Sequence, residues 1–139
     1  MKSREESTGA GKTIRILFEA CVDSLEGALA AQESGADRIL TSGGQCSAEQ
    51  GLDFIRELVR RADGRISVMA GGGVTESNAR MIADETGVRE IHATLRISSE
   101  SRMRFRNPDV RMGAGQASSE YEWKSTDPER MKAMRKSLG

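Results

Sequence analysis

Few residues of this chain have much chemistry to offer: the thiols of Cys21 and Cys46, the thioether of Met69, the single imidazole of His92, the carboxylate of Glu19, and the run Gly71, Gly72, Gly73. Soft sulfur donors select Cu(I), and imidazole suits several transition metals, so Cys21, Cys46, Met69 and His92 are donors of the kind that handle copper. The bland alternatives stand beside this. A cysteine is also a small apolar side chain, and a methionine near a strand end is also a core residue. The glycine run precedes Thr75, a capping type, and backbone N–H groups at such a turn can receive an anion, with Arg96 downstream as its partner. Equally, three glycines suit any tight strand-to-helix turn. Glu19 has the chemistry of a general base. Residues 6–13, ESTGAGKT, imitate a phosphate-binding loop, but Glu6 stands where the first glycine is required and no strand precedes it, so that reading is dropped.

Positioning these groups requires alternating strands and helices, and the pattern supplies them. Ile14 to Ala20 reads as a strand, followed by a helix capped by Ser24, with Leu25, Ala28 and Leu29 on one face and Gly35 at its end. Arg38 to Thr41 is the second strand. Ser47 and Gln50 make a capping box before a helix with Leu52, Ile55, Val59 and Ala62 at three- and four-residue spacing, stopped by Gly64. The third strand is Arg65 to Met69, and a helix capped by Thr75 carries Ala79, Ile82 and Ala83 to Gly87. Val88 to Thr94 is the fourth strand. Crossover helices of this length impose parallel pairing, so the fold class is α/β with about four parallel strands. From Ile97 to Trp123 periodicity lapses and an irregular tail is expected; Asp127 and Pro128 then open a short helix with Met131 and Met134. Residues 1–13 are expected to be disordered and 14–139 to form a single partial domain.

Composition limits the function classes. The chain has 139 residues, 37% of them apolar and 4% aromatic, so one modest aliphatic core is expected. Lys plus Arg total 21 and Asp plus Glu total 21, a balance that argues against a bulk electrostatic binder of nucleic acid or membrane. Arg96, Arg102, Arg104, Arg106 and Arg111 make the tail locally basic, but Phe105 is the only aromatic among them, too little for stacking on bases. Mean hydropathy is −0.52 and no run approaches a membrane span. The first sixteen residues have no apolar signal-like stretch, and a cytoplasmic location with reduced thiols follows as the expectation.

Several longer runs together carry a family resemblance. FEACVDSLEGALAAQESGADRI, from Phe18 to Ile39, resembles the opening strand and helix of the CutC family of copper homeostasis proteins. ILTSGGQCSAEQGLDFIRELV, RISVMAGGGVTESNARMI and VREIHATLR resemble the last third of that family's barrel, and MRFRNPDVRMGA and SSEYEWKSTD its C-terminal tail, in order. The family's middle βα units have no counterpart here. The chain passes from the first βα unit into the sixth strand, with a seam in Gly35 to Gly43. The resemblance therefore implies a TIM-barrel-like (β/α) half barrel, as a truncated isoform or similar product would be, since 139 residues are too few for eight units.

The same resemblance implies roles. Cys21 matches the cysteine of the family's cysteine-valine-aspartate-serine motif, and a second cysteine, found in some members of the family at the end of the following strand, falls in the seam, where Leu40, Thr41 and Ser42 stand. Cys46 matches no family position and is a candidate substitute. Glu19 and His92 match the family's first-strand glutamate and eighth-strand histidine. Gly71, Gly72 and Gly73 fall in its seventh-strand loop, with Ala70 where the family has proline.

The expected function is cytosolic binding or buffering of Cu(I) by Cys21 and Cys46, more a metal handler than an enzyme. The rival is a small-molecule enzyme gripping phosphate at Gly71 to Gly73 and Arg96, inactive in this short form, or a truncated product with no function. Strand alternation turns Glu19, His92 and Thr94 to the barrel lining. Four strands leave that lining half covered with two open edges, so self-association or a partner chain is expected.

Overall fold

The computed structural model describes residues 16–104 and 122–139. The expected disorder of residues 1–13 lies outside them. Strand β1 (Glu19–Cys21) is followed by α1 (Leu25–Glu33), β2 (Arg38–Thr41), α2 (Leu52–Ala62), β3 (Ser67–Gly71), α3 (Ala79–Thr86) and β4 (Glu90–His92). The sheet order is β1-β2-β3-β4, every pair parallel. Sequential order with right-handed crossovers puts all three helices on one face of the sheet. That is a sector of a (β/α) barrel rather than a doubly wound sheet, which carries helices on both faces.

Strand parity sorts the side chains. Ile39, Val68 and Ala70 point to the helices and join Ile55, Leu58, Ala79 and Ile82 in one core. Glu19, Cys21, Arg38, Leu40, Ser67, Met69, Glu90 and His92 have the opposite parity and form the second face.

The helix ends show the local logic. Ser24 caps α1 by accepting from the Gly27 N–H at 3.1 Å. Asp63 closes α2 in the left-handed region at φ 45°, and Gly87 closes α3 at φ 77°. Two starts come later than the capping residues suggest. The Ser47 box forms, with Ser47 Oγ accepting from Gln50 N–H at 3.4 Å, but it builds a separate turn, and α2 begins after Gly51. Thr75 likewise opens a turn, braced by Asn78 Oδ1 accepting from Thr75 N–H at 2.8 Å, and α3 begins after Asn78. In both places a side chain satisfies a turn that the helix does not continue.

Of the irregular stretch expected from Ile97 to Trp123, residues 105–121 lie outside the described residues, and its two ends are strands instead. Leu95, buried and at φ 47°, turns the chain out of the sheet. Arg96 therefore does not extend β4. It opens β5 (Arg96–Glu100), which pairs antiparallel with β6 (Glu122–Thr126) in a separate ribbon. Helix α4 (Pro128–Leu138) follows, with Asp127 as cap, Pro128 in its first turn and Met134 buried. Arg130 fixes it by donating from Nε and Nη2 to Glu76 at 2.9 Å each and from Nη1 to the Arg96 carbonyl at 2.8 Å.

Candidate functional site

The carboxyl ends of β1, β2 and β3 frame an open cleft of about 420 Å³, lined by Cys21, Asp23, Leu40, Thr41, Gly71 and Gly72 among others. In barrel folds this is the end on which sites are built. The cysteine and the glycine turn, separate in sequence, thus share one cleft. Cys21 is a free, exposed thiol at the last position of β1.

The loop after β2 forms one wall. Thr41, 2% exposed, accepts from the Gly43 N–H through Oγ1 at 2.9 Å and turns the chain over the sheet end. Gly43, at φ 75°, packs backbone to backbone on Gly51, where an added Cβ would lie 2.6 Å from the Gly51 Cα. The Ala48 N–H then donates to the Gly72 carbonyl at 2.9 Å, tying the loop to the glycine turn. At its other flank Gly44 lies so near β1 that a Cβ there would sit 2.9 Å from the Asp23 carbonyl oxygen. Cys46, also free and exposed, rides on this loop between the two contacts.

The glycine turn starts inside β3, because Gly71 is the last strand residue. Gly72 and Gly73 have φ of 98° and 65°, a region costly for any other residue. The Gly73 carbonyl accepts from Asn78 Nδ2 at 3.1 Å. With α3 starting only at Ala79, the turn Thr75–Asn78 separates the glycines from the helix terminus that an anion would use.

The remaining candidates divide. His92 is exposed at the end of β4 and level with Gly71 in the ladder. Thr94 is exposed just beyond the strand, its carbonyl accepting from Thr126 Oγ1 at 3.5 Å. Glu19 is exposed at the start of β1, level with Arg38. Met69 is buried in β3. Arg96 lies in the ribbon, with its carbonyl held by Arg130. Among the described residues, no group of three or more His, Cys, Asp and Glu side chains is gathered for a metal ion.

One polar cluster escaped the sequence reading. At the amino ends of the strands, Glu90 Oε1 accepts from Ser67 Oγ at 2.7 Å, and Glu90 Oε2 lies 3.0 Å from Arg38 Nη1. These residues open β4, β3 and β2 and share the second face. Their common parity is set by the register between strands, which no local pattern in the sequence carries. Polar groups at the bottom of a barrel serve stability rather than catalysis.

The model of the family described as CutC matches residues 2–97. A CutC family protein of Parabacteroides distasonis is 47% identical over 116 residues, 84% of this chain and 48% of that protein. The copper homeostasis protein cutC homologs of Mus musculus and Homo sapiens are 39% and 38% identical over 127 residues, 88% of this chain and 47% and 46% of theirs. The chain spans about half the length of these curated relatives. Among solved structures, the putative copper homeostasis protein CutC from Streptococcus agalactiae aligns at a TM-score of 0.45 and 35% identity, over 48% of this chain and 33% of that one.

Proposed function

Since the chain belongs to the CutC family, we propose that it handles copper by binding Cu(I), as cargo, at the carboxyl-end cleft of its sheet, with the Cys21 thiolate as the principal ligand. The observation that carries this reading is the free, exposed thiol of Cys21 in the same cleft as the glycine turn. A thiolate is the soft donor Cu(I) prefers. Cys46, outside the lining of the cleft but on the loop whose Gly44 packs on Asp23 and whose Ala48 bonds Gly72, is the candidate for a second thiolate. The names of the mouse and human relatives point to the same metal. A site of two exposed thiolates suits reversible uptake and release, and the role is buffering in the cytosol rather than turnover.

The test is competition for Cu(I) with a chromophoric chelator. Cys21→Ser is expected to weaken binding by more than about tenfold, the least that loss of a direct ligand should cost when outer partners alone cost that much. Cys46→Ser is expected to weaken it less. Unchanged affinity in Cys21→Ser overturns the assignment.

A further inference from the structure

Among the described residues, both edges of the sheet are unpaired. The three crossover helices α1–α3 lie on one face of it, and among the described residues no strand pairs with the outer side of β1 or of β4. We infer that two copies of this chain associate about a two-fold axis to close one eight-stranded barrel, with β4 of each copy pairing in parallel with β1 of the other. The inference is independent of the copper reading and is tested without metal.

The register follows from barrel geometry. An eight-stranded barrel of this type has a shear of about eight residues, so each four-stranded half must supply about four. Strands tilt in a right-handed sense, so a line drawn across the sheet in strand order descends toward the amino ends. The observed ladder shows that stagger: β3 starts level with β1, through Glu19, Arg38 and Ser67, whereas Glu90, the first residue of β4, is level with Cys21. Extending the line from Cys21 through Leu40, Met69 and Glu90 by a half-barrel shear reaches the partner's Leu17. His92 then stands opposite the partner's Glu19, and Ile91 opposite the partner's Phe18.

Charge and polarity match at this register. Glu19 and His92 are both exposed and both on the second face, so each junction sets a carboxylate against an imidazole. Phe18, 53% exposed, and Ile91 share the helix-side parity and give each junction an apolar pair. The sequence also carries strand pattern beyond the strands that form in one copy. Leu17 and Phe18 precede β1 and Ala93 and Thr94 follow β4, and these are the residues the junction would recruit. The junction further sets Thr94 opposite the partner's Cys21, so each cleft gains a wall from the other copy, with the partner's His92 diagonal to the thiol.

Sedimentation of the reduced, metal-free full chain at micromolar concentration tests this, with a particle of twice the 15.1 kDa chain mass expected. His92→Glu sets two carboxylates face to face and is expected to raise the dimer Kd by more than about tenfold. The exchange Glu19→His with His92→Glu is expected to restore it, which a variant that merely misfolds would not show. Opposed residues on neighbouring strands lie within disulfide span, about 5 Å. Glu19→Cys with His92→Cys, in a Cys21→Ser, Cys46→Ser background, should therefore give a covalently closed dimer under mild oxidation. A monomer at these concentrations, or a dimer that this cysteine pair does not cross-link, overturns the inference.

Discussion

The two sides of β2 are built to different standards. On one side, α2 packs on β3 and on α3, with Ile55, Ala79 and Ile82 at 0% exposure. On the other, α1 buries only Ala28 and leaves Leu29 at 55%. Between α1 and α2 runs an apolar groove of about 230 Å³, lined by Leu25, Ala28, Leu29, Ile39, Leu58 and Ile66 among others. Yet the backbone ladder is unbroken across the divide, with three register pairs from β1 to β2 and four from β2 to β3. Strand pairing asks only for extended backbone of the right length, whereas helix packing asks for complementary side chains.

Core truncation should separate the two sides most. Ile82→Ala and Ile55→Ala are expected to cost roughly 2–5 kcal/mol each, while Leu29→Ala is expected to fall within about 0.5 kcal/mol of the parent, all read from urea unfolding. Similar costs on both sides would mean that α1 is as firmly packed as α2. The loop after β2 is next in size. A Cβ added at Gly51 would lie 2.7 Å from the Gly43 Cα, backbone against backbone with no flexible atom to yield. Gly51→Ala is expected to lose more than about 1 kcal/mol. At Gly64 a Cβ meets nothing within 4 Å, and only its φ of 71° opposes a side chain, so Gly64→Ala is expected to cost less.

Much of this was legible beforehand where one local cause decides. Ser24, Gly87, Asp127 and Pro128 act on their own turns, and the structure uses each as a helix end. The strand Arg38–Thr41 falls where alternation put it. Where two causes compete, no local signal decides between them. Ser47 and Thr75 satisfy turns one step ahead of their helices, because a cap hydrogen bond does not say whether the helix continues. The ribbon β5–β6 pairs segments that meet only in three dimensions, and Arg96 moved with it, since nothing local marks Leu95 as a corner at φ 47°. The cleft was legible as topology, since Cys21 and Gly71 both end strands of one parallel sheet. The cluster Arg38, Ser67 and Glu90 was not, because it exists only through register.

The smallest effect sharpens the comparison at its far edge, where α4 joins the well-packed side. Hydrogen bonds from Arg130, with help from its own backbone N–H, hold the Glu76 carboxyl below its ordinary value of 4.5. A carboxylate lowered by folding contributes stability above its unfolded value, and that contribution fades as pH falls through the folded value. Glu57 is lowered further, to about 2, by Arg60 and Arg61, but these lie three and four residues away on the same helix. Its bonds are local to α2, whereas Glu76 to Arg130 spans 54 residues. Acidification from pH 5 is therefore expected to loosen α4 before α2, seen as earlier loss of amide protection in α4 around Met134. Glu76→Gln should bring that loosening to neutral pH and flatten its pH dependence, while Glu57→Gln should leave α4 unaffected. If α4 in Glu76→Gln stays as protected as in the parent, then Met134 and its apolar contacts, not the ion pair, hold the helix in place.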